Sequence, residues 1–129
     1  MRHEEIPEAL WRKASEQLYC SRDAFLAHLA EWKMTVLHVD NAPAFVVLEK
    51  GNEFHVDSLG TGKPFPMKAF LREVYRIAGE HGHAITRTPK DTDKQHDVNA
   101  RLGWTQVGED DFDIIYRVEK TPRSKACPS

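Results

Sequence analysis

The stretch NARLGWTQVGEDDFDIIYR, residues 99–117, decides the fold of this chain. A polar helical segment ends in Leu102-Gly103-Trp104, a short apolar segment follows, and an acidic turn leads into an alternating strand. Glycine can end a helix because it adopts the left-handed conformation without a Cβ penalty. The pattern therefore predicts a helix that stops at Gly103, a Trp104 side chain in the core beside Leu102, and a terminal β-hairpin.

The preceding residues change hydrophobic period in an order that is typical of a layered α/β protein. Ser21 is a good N-cap for the second helix, turns are expected at 41–43 and 51–53, and the last helix should turn Val98 and Leu102 inward. The predicted order α-α-β-β-β-α-β-α-β-β gives an α/β fold with a mixed, mainly antiparallel sheet flanked by helices. The predicted elements are helices over 7–19 and 22–33, strands over 35–40, 44–50 and 54–59, a helix over 67–82, a strand over 83–88, a helix over 92–102 and the two hairpin strands.

The overall composition is that of one folded domain. The chain has 129 residues, 40% of them hydrophobic and 29% charged, and a net charge of −2. Without a Lys/Arg stripe, this charge argues against nucleic-acid binding, and no apolar run reaches the roughly 20 residues of a membrane helix. The N-terminus lacks the apolar segment of a secretory signal, and Cys20 and Cys127 lie too far apart for a disulfide framework or metal cluster. We expect a cytoplasmic protein with one domain over 1–120 and a disordered tail over 121–129.

The element order resembles that of the GNAT acyltransferases, which transfer acetyl groups from acetyl-CoA to amines. NARLGW, residues 99–104, is similar to the phrase that ends the last helix of that family. Helix 67–82 ends in RIAGEHG, with Ala78 and Gly82 at the places of an Ala-x-x-x-Gly pattern. The resemblance covers residues 35–118, and the first strand of the family is missing or displaced. The chain looks like a small, divergent member, and its overall character suggests a phage-encoded protein.

The resemblance implies that a glycine-rich loop before the central helix binds the pyrophosphate of CoA. Here that motif falls near 62–67, GKPFPM, where Phe65 and Met67 occupy the places of two glycines and two prolines lack N–H donors. Glycine N–H groups and lysines next to this segment could meet phosphate along a different loop path. The alternative is a proline-stiffened loop that begins the helix and binds nothing. The expected acetyl-CoA contacts are Gly60, Gly62, Lys63 and Lys68.

Attack of a neutral amine on a thioester needs a base for the amine proton, an acid for the leaving thiolate and a donor for the oxyanion. The resemblance places the acid, often a tyrosine, four residues before the corner glycine. This chain has Asn99 there. Its side chain could position a substrate by hydrogen bonding; the alternatives are an amide exposed on the helix surface, or an amide that supports another residue of the site. The candidate bases Glu53, His55 and Asp57 lie on one face of the third strand, where the alternative is a solvated strand face.

Three other groups have simpler interpretations. His81, His83 and His96 are the most compact set of histidines, but no cysteine or close carboxylate completes a metal site, so we predict no metal. The acidic residues of 109–113 either attract a cationic amine or form a solvated turn. The aromatic residues of the first two helices are expected in the core or at a dimer face: Trp11, Phe25 and Trp32.

We therefore expect an N-acetyltransferase that uses acetyl-CoA and a small-molecule or protein amine. A homodimer is compatible with the aromatic helix faces, and neither nucleic acid nor a membrane is expected as a partner. The other interpretation is a GNAT-fold protein that has lost catalysis and serves as a structural or binding module. A phage-encoded virion or host-interaction protein would be an example.

Overall fold

The computed structural model describes residues 5–15 and 21–119. Its strands form one six-stranded sheet in the order β1-β2-β3-β4-β6-β5. The β1–β2, β4–β6 and β5–β6 pairs are antiparallel, and β3 pairs with β4 in parallel. The predicted element order and the mixed, mainly antiparallel sheet are confirmed. The elements are α1 (Ile6–Ala14), α2 (Arg22–Leu29), β1 (Lys33–Val39), β2 (Ala42–Lys50), β3 (Glu53–Ser58), α3 (Met67–His81), β4 (His83–Pro89), α4 (Asp93–Arg101), β5 (Thr105–Glu109) and β6 (Asp113–Glu119).

The chain divides into two compact units. The first comprises Met1–Lys50 and Val56–Phe70, and the second comprises Gly51–His55 and Leu71–Ser129. Both β3 and α3 therefore contribute residues to each unit. Among the described residues, no helix is long and apolar enough to cross a membrane.

The first unit is built around a cluster of apolar side chains from α1, α2, β2 and the residue that follows β3. Ser21 caps α2 as predicted, because its Oγ accepts the Ala24 N–H at 3.1 Å. The helix ends at Leu29 rather than near Lys33, since Lys33 already pairs with Glu49 in the β1–β2 ladder. The predicted continuation of α1 over 16–19 and the predicted tail lie outside the described residues. The buried members of the cluster are Ile6, Leu10, Leu29, Val46 and Leu59.

The turn between β1 and β2 is tighter than predicted. Asp40 and Asn41 form it with φ of 54° and 63°, whereas the sequence predicted a turn at 41–43. A two-residue hairpin turn of this kind needs positive φ at both residues, which Asp and Asn tolerate better than most side chains. Pro43 lies inside β2 instead, opposite His38, where the ladder shifts register. A proline is acceptable at such an irregularity because no ladder N–H is needed there.

The second unit confirms the corner that the opening stretch predicts. Helix α4 ends with Leu102 as its C-cap, Gly103 adopts φ of 79°, and Trp104 is buried with its ring against Phe54 at 5.7 Å. Strand β6 then runs antiparallel to β4. Val98 and Leu102, expected to turn inward, are half-buried, and the fully buried side chain of α4 is Asn99.

Candidate functional site

The loop between β3 and α3, in the first unit, contains the glycines expected at a phosphate. Gly60 and Gly62 have φ of 75° and 73°, and the Gly60 N–H donates to Ser58 Oγ at 3.0 Å. A Cβ built on either glycine would meet no atom within 4 Å. The backbone conformation, rather than lack of space, is what requires glycine at these two positions.

The start of α3 offers donors that suit an anion. Pro66 has no N–H, but its carbonyl accepts the Phe70 N–H at 2.9 Å and so begins the helix. In the described part of the chain, the N–H groups of Lys68 and Ala69 donate to no protein group. The first turn of α3 also contains no acidic residue. Free N–H groups at a helix start bind phosphate oxygens well, so the donor set fits a phosphate.

Lys63 and Lys68 are the cations of this loop. The Lys63 Nζ lies 3.3 Å from Asp40 Oδ2, in a pair that is mostly exposed on the Asp40 side. Such pairs contribute little and exchange readily with water or another anion. Lys68 is exposed on the first turn of α3. Both lysines can therefore turn towards a phosphate at modest cost.

Phe65 stands where the resemblance expects a glycine, and the structure gives it a packing role. Its ring lies 5.1 Å from the rings of Phe45 and Phe70, while 38% of the residue remains exposed. Met67, at the place of the other glycine, is 39% exposed. The aromatic contacts anchor the loop, which is what the interpretation without a ligand requires.

Glu53 and His55, in the second unit, lie on one face of β3 as predicted. His55 Nε2 is 2.7 Å from Glu53 Oε2, and both side chains are about one-third exposed. Asp57 falls in the part of β3 that belongs to the first unit, where its Oδ1 accepts the Ser58 N–H at 3.0 Å. The structure thus joins two of the three candidate bases as a hydrogen-bonded pair.

The sequence analysis missed Arg87, which extends this pair onto β4. Its Nε lies 3.8 Å from Glu53 Oε1, and its Nη1 donates to Asp110 Oδ2 at 2.8 Å. Glu53 pairs with Ile85 across the parallel ladder, and Arg87 follows two residues later on the same face. The alternation of β4 placed Arg87 on a face, but only the strand register could bring it to Glu53.

Asp110 fixes the turn of the terminal hairpin. Its Oδ1 accepts the N–H groups of Phe112 and Asp113 at 2.9 and 2.7 Å, and these bonds, with the charge of Arg87, hold the pKa of this carboxyl below its usual range. Asp110 therefore stays ionised and gives Arg87 a fixed anchor.

Asn99 lies inside the second unit, where its amide supports other polar groups, which is one of the expectations for it. It is fully buried, its Nδ2 donates to Thr88 Oγ1 at 3.0 Å, and its Oδ1 accepts from Gln95 Nε2 at 2.9 Å. The expectation of a surface amide is wrong, because these bonds tie α4 to β4 inside the second unit. A fully buried amide with partners on both sides also has no direct route to a substrate.

The histidines considered for a metal have other partners. His83 Nε2 lies 3.2 Å from Asn52 Nδ2, and His96 is 2.7 Å from the Tyr116 hydroxyl and 2.8 Å from the Pro89 carbonyl. A carbonyl only accepts, so His96 Nε2 donates and the neutral ring accepts the Tyr116 proton at Nδ1. His81 is exposed. Across residues 5–15 and 21–119, no group of three or more His, Cys, Asp or Glu side chains is arranged to hold a metal.

The chain matches no protein-family model and no curated protein by sequence, but it matches solved structures. The Campylobacter jejuni N-acetyltransferase PseH in complex with acetyl coenzyme A has a TM-score of 0.64, 16% identity, and 94% of each chain covered. A Staphylococcus aureus N-acetyltransferase has a TM-score of 0.64 at 9% identity, covering 94% of this chain and 96% of that one. The PaiA N-acetyltransferase of Thermoplasma acidophilum, in complex with coenzyme A, has a TM-score of 0.58 at 10% identity, with 90% and 89% covered. At these identities the likeness establishes the fold, which is that of the GNAT N-acetyltransferases.

Proposed function

We propose that this chain is an N-acyltransferase that moves an acetyl group from acetyl-CoA to an amine. The observation that carries the proposal is the start of α3, where two N–H groups have no acceptor among the described residues, the first turn has no acidic residue, and the loop and first turn contribute Lys63 and Lys68. The shared fold with N-acetyltransferases, one of them in complex with acetyl coenzyme A, supports the same assignment.

The phosphates of acetyl-CoA would be held by the loop and the first turn of α3. Lys63 and Lys68 supply charge, and the N–H groups of Lys68 and Ala69 supply directed donors. Gly60 and Gly62 give the loop its left-handed path and leave open space beside the backbone. When bound, acetyl-CoA supplies an acyl thioester to the reaction.

In the second unit, the Glu53–His55 pair is suited to take the amine proton. An ionised Glu53 only accepts, so the neutral His55 ring donates from Nε2 and carries its basic lone pair on Nδ1. The ammonium form of the amine first gives one proton to the His55 ring; the neutral nitrogen then bonds to the acyl carbon as the C–S bond breaks, and its second N–H proton passes through water to the leaving thiolate. Glu53 stabilises the imidazolium that forms.

A second function follows from Phe65. If its packing against Phe45 and Phe70 closes the loop to phosphates, the chain is a GNAT-fold binding protein without turnover, for example a phage-encoded host-interaction protein. Phe65→Gly restores the residue that the resemblance expects. Binding of acetyl-CoA by this variant but not by the unaltered chain would support this second function.

Calorimetric titration of acetyl-CoA tests the proposal. We expect micromolar binding, weakened about threefold to tenfold by Lys63→Ala or Lys68→Ala, since each removes one exposed charged contact to phosphate. Lys90→Ala is the matched control, because Lys90 pairs with Glu109 at 2.9 Å on the terminal hairpin and should leave binding unchanged. No heat at high micromolar ligand with a folded chain would overturn the acetyltransferase.

A further inference from the structure

Four charged or titratable side chains form a row across one face of the second unit. In order they are His55, Glu53, Arg87 and Asp110, and the contacts along this charge row measure 2.7, 3.8 and 2.8 Å. The side chains of the three strand residues are 29–39% exposed. The row combines two carboxylates, a guanidinium and an imidazole, and it is accessible to a small molecule.

The two central charges of the row are each anchored from the outer side. Asp110 holds Arg87 through Nη1, and Asp110 is itself fixed by the two N–H groups of its turn. His55 holds Glu53 through Oε2. Between them, Arg87 Nε and Glu53 Oε1 are 3.8 Å apart, which is beyond hydrogen-bond length. The Glu53 carboxylate and the Arg87 guanidinium are therefore neighbours that do not hydrogen-bond to each other.

Arg87 has unused donors on the side that faces Glu53. In the described residues, the guanidinium of Arg87 makes one hydrogen bond, through Nη1, so its Nε–Nη2 edge makes none. This edge is one of the planar forks with which arginine binds a carboxylate through two parallel bonds. Ile115 lies opposite Arg87 in the β4–β6 ladder and is half-buried, which reduces the water available to a group bound there.

We infer that the acceptor is a small amine that also carries a carboxylate, as an amino acid does; this inference rests on the proposed acyl transfer. The amine group lies at Glu53 and His55, and the carboxylate takes the Nε–Nη2 fork of Arg87. Such a zwitterion neutralises both central charges at once. An alkylamine leaves the fork without an acceptor, and a diamine brings a second cation against a guanidinium. Arg87 is therefore the specificity-determining residue for the acceptor.

The test compares acceptors by the rate of thiol release from acetyl-CoA. Glycine and β-alanine carry the carboxylate, ethylamine lacks it, and 1,3-diaminopropane replaces it with a cation. We expect kcat/KM to favour the two amino acids by about 10- to 100-fold, the range for charged hydrogen bonds. Arg87→Gln should remove this preference, so that kcat/KM for the two amino acids falls to about the value for ethylamine measured with the same variant.

Two further variants make the comparison specific. Arg117→Gln is the matched control, because Arg117 lies on the same face opposite Ile85 but pairs with Glu119 at 3.0 Å outside the charge row. It should keep the preference for amino acids. Arg87→Lys keeps a cation for Asp110 without the fork, so it should lose most of the preference and remain folded, and it decides the question if Arg87→Gln does not fold.

The outcomes separate this inference from the proposed function. Equal use of ethylamine and amino acids by the unaltered chain, or equal loss with both in the Arg87 variants, overturns the acceptor class and leaves acyl transfer standing. Binding of acetyl-CoA without turnover of either amino acid also overturns the acceptor class. Absence of acetyl-CoA binding instead overturns the proposed function on which it rests.

Discussion

Replacing Asn99 with alanine should destabilise the chain while leaving acetyl transfer almost unchanged. The change leaves the buried Thr88 hydroxyl without its amide partner, which costs about 1–3 kcal/mol. Gln95 is exposed and can turn to water, so its lost bond adds little. The higher helix propensity of alanine offsets up to about 0.7 kcal/mol of this loss in the free energy of unfolding. The free energy of unfolding should therefore fall by about 1–2 kcal/mol, which lowers Tm by several degrees.

Urea unfolding of the two chains measures this difference, and Lys94→Ala on the same helix is the control. Because Lys94 is exposed, its replacement should change the free energy of unfolding by less than about 0.5 kcal/mol. A loss below about 0.5 kcal/mol for Asn99→Ala, with cooperative unfolding, would contradict the buried hydrogen bond. If the folded variant instead lost most of its kcat, Asn99 would have the substrate-facing role that its position in the sequence suggests.

Three further perturbations act on individual features. Asp40→Asn should tighten acetyl-CoA binding about twofold to threefold at low salt and not at high salt, because it frees Lys63 from a screened pair; weaker binding would contradict this. Gly103→Ala should lower the free energy of unfolding by about 1–2 kcal/mol, because φ at this position is 79°. Gly79→Ala, at an open site within α3, should raise it by about 0.5–1 kcal/mol. Thermal melts measure both, and equal effects would contradict a left-handed helix end at Gly103. The lowered pKa of Asp110 stabilises the folded chain above about pH 4, the unfolded range, and this contribution is lost as pH falls through the folded pKa. Urea midpoints of Asp110→Asn should thus fall less steeply with acid than those of the unaltered chain, and parallel curves would refute this.

The fold was predictable because its boundaries are local. Gly82 and Gly103 adopt φ of 87° and 79° after α3 and α4, so a single glycine marks the end of each helix. The sequence places the β1–β2 turn too late, because Pro43 is a residue type that favours turns. Asp40 and Asn41 already supply both left-handed positions, and the proline falls where the ladder is irregular. Local pattern therefore determined the element type correctly, while the exact turn depended on strand register.

The site was less predictable because its contacts join distant residues. A pattern that counts apolar side chains cannot place Asn99 in the core, since its burial depends on Thr88 eleven residues earlier on another strand. The alternation of β4 likewise predicts only that Arg87 is a polar residue on one strand face. Its position beside Glu53 depends on the register of the parallel β3–β4 pair. The spacing of Glu53 and His55 was sufficient on its own, because residues two apart on one strand share a face.

These contacts bear on which face of the second unit can exchange protons with a substrate. On α4, Asn99 is committed to Thr88 and Gln95, and His96 to Tyr116 and the Pro89 carbonyl. Thr88 follows Arg87 directly on β4, and Tyr116 pairs with Thr86, which precedes Arg87 directly. The side chains of Thr88 and Tyr116 therefore lie on the opposite face of the sheet from that of Arg87. His55 and Glu53, whose side chains are about one-third exposed, are on the face of the charge row. Acyl transfer by this chain would thus draw its acid–base chemistry from the strand face, and the inward side chains of α4 would serve to hold that sheet in place.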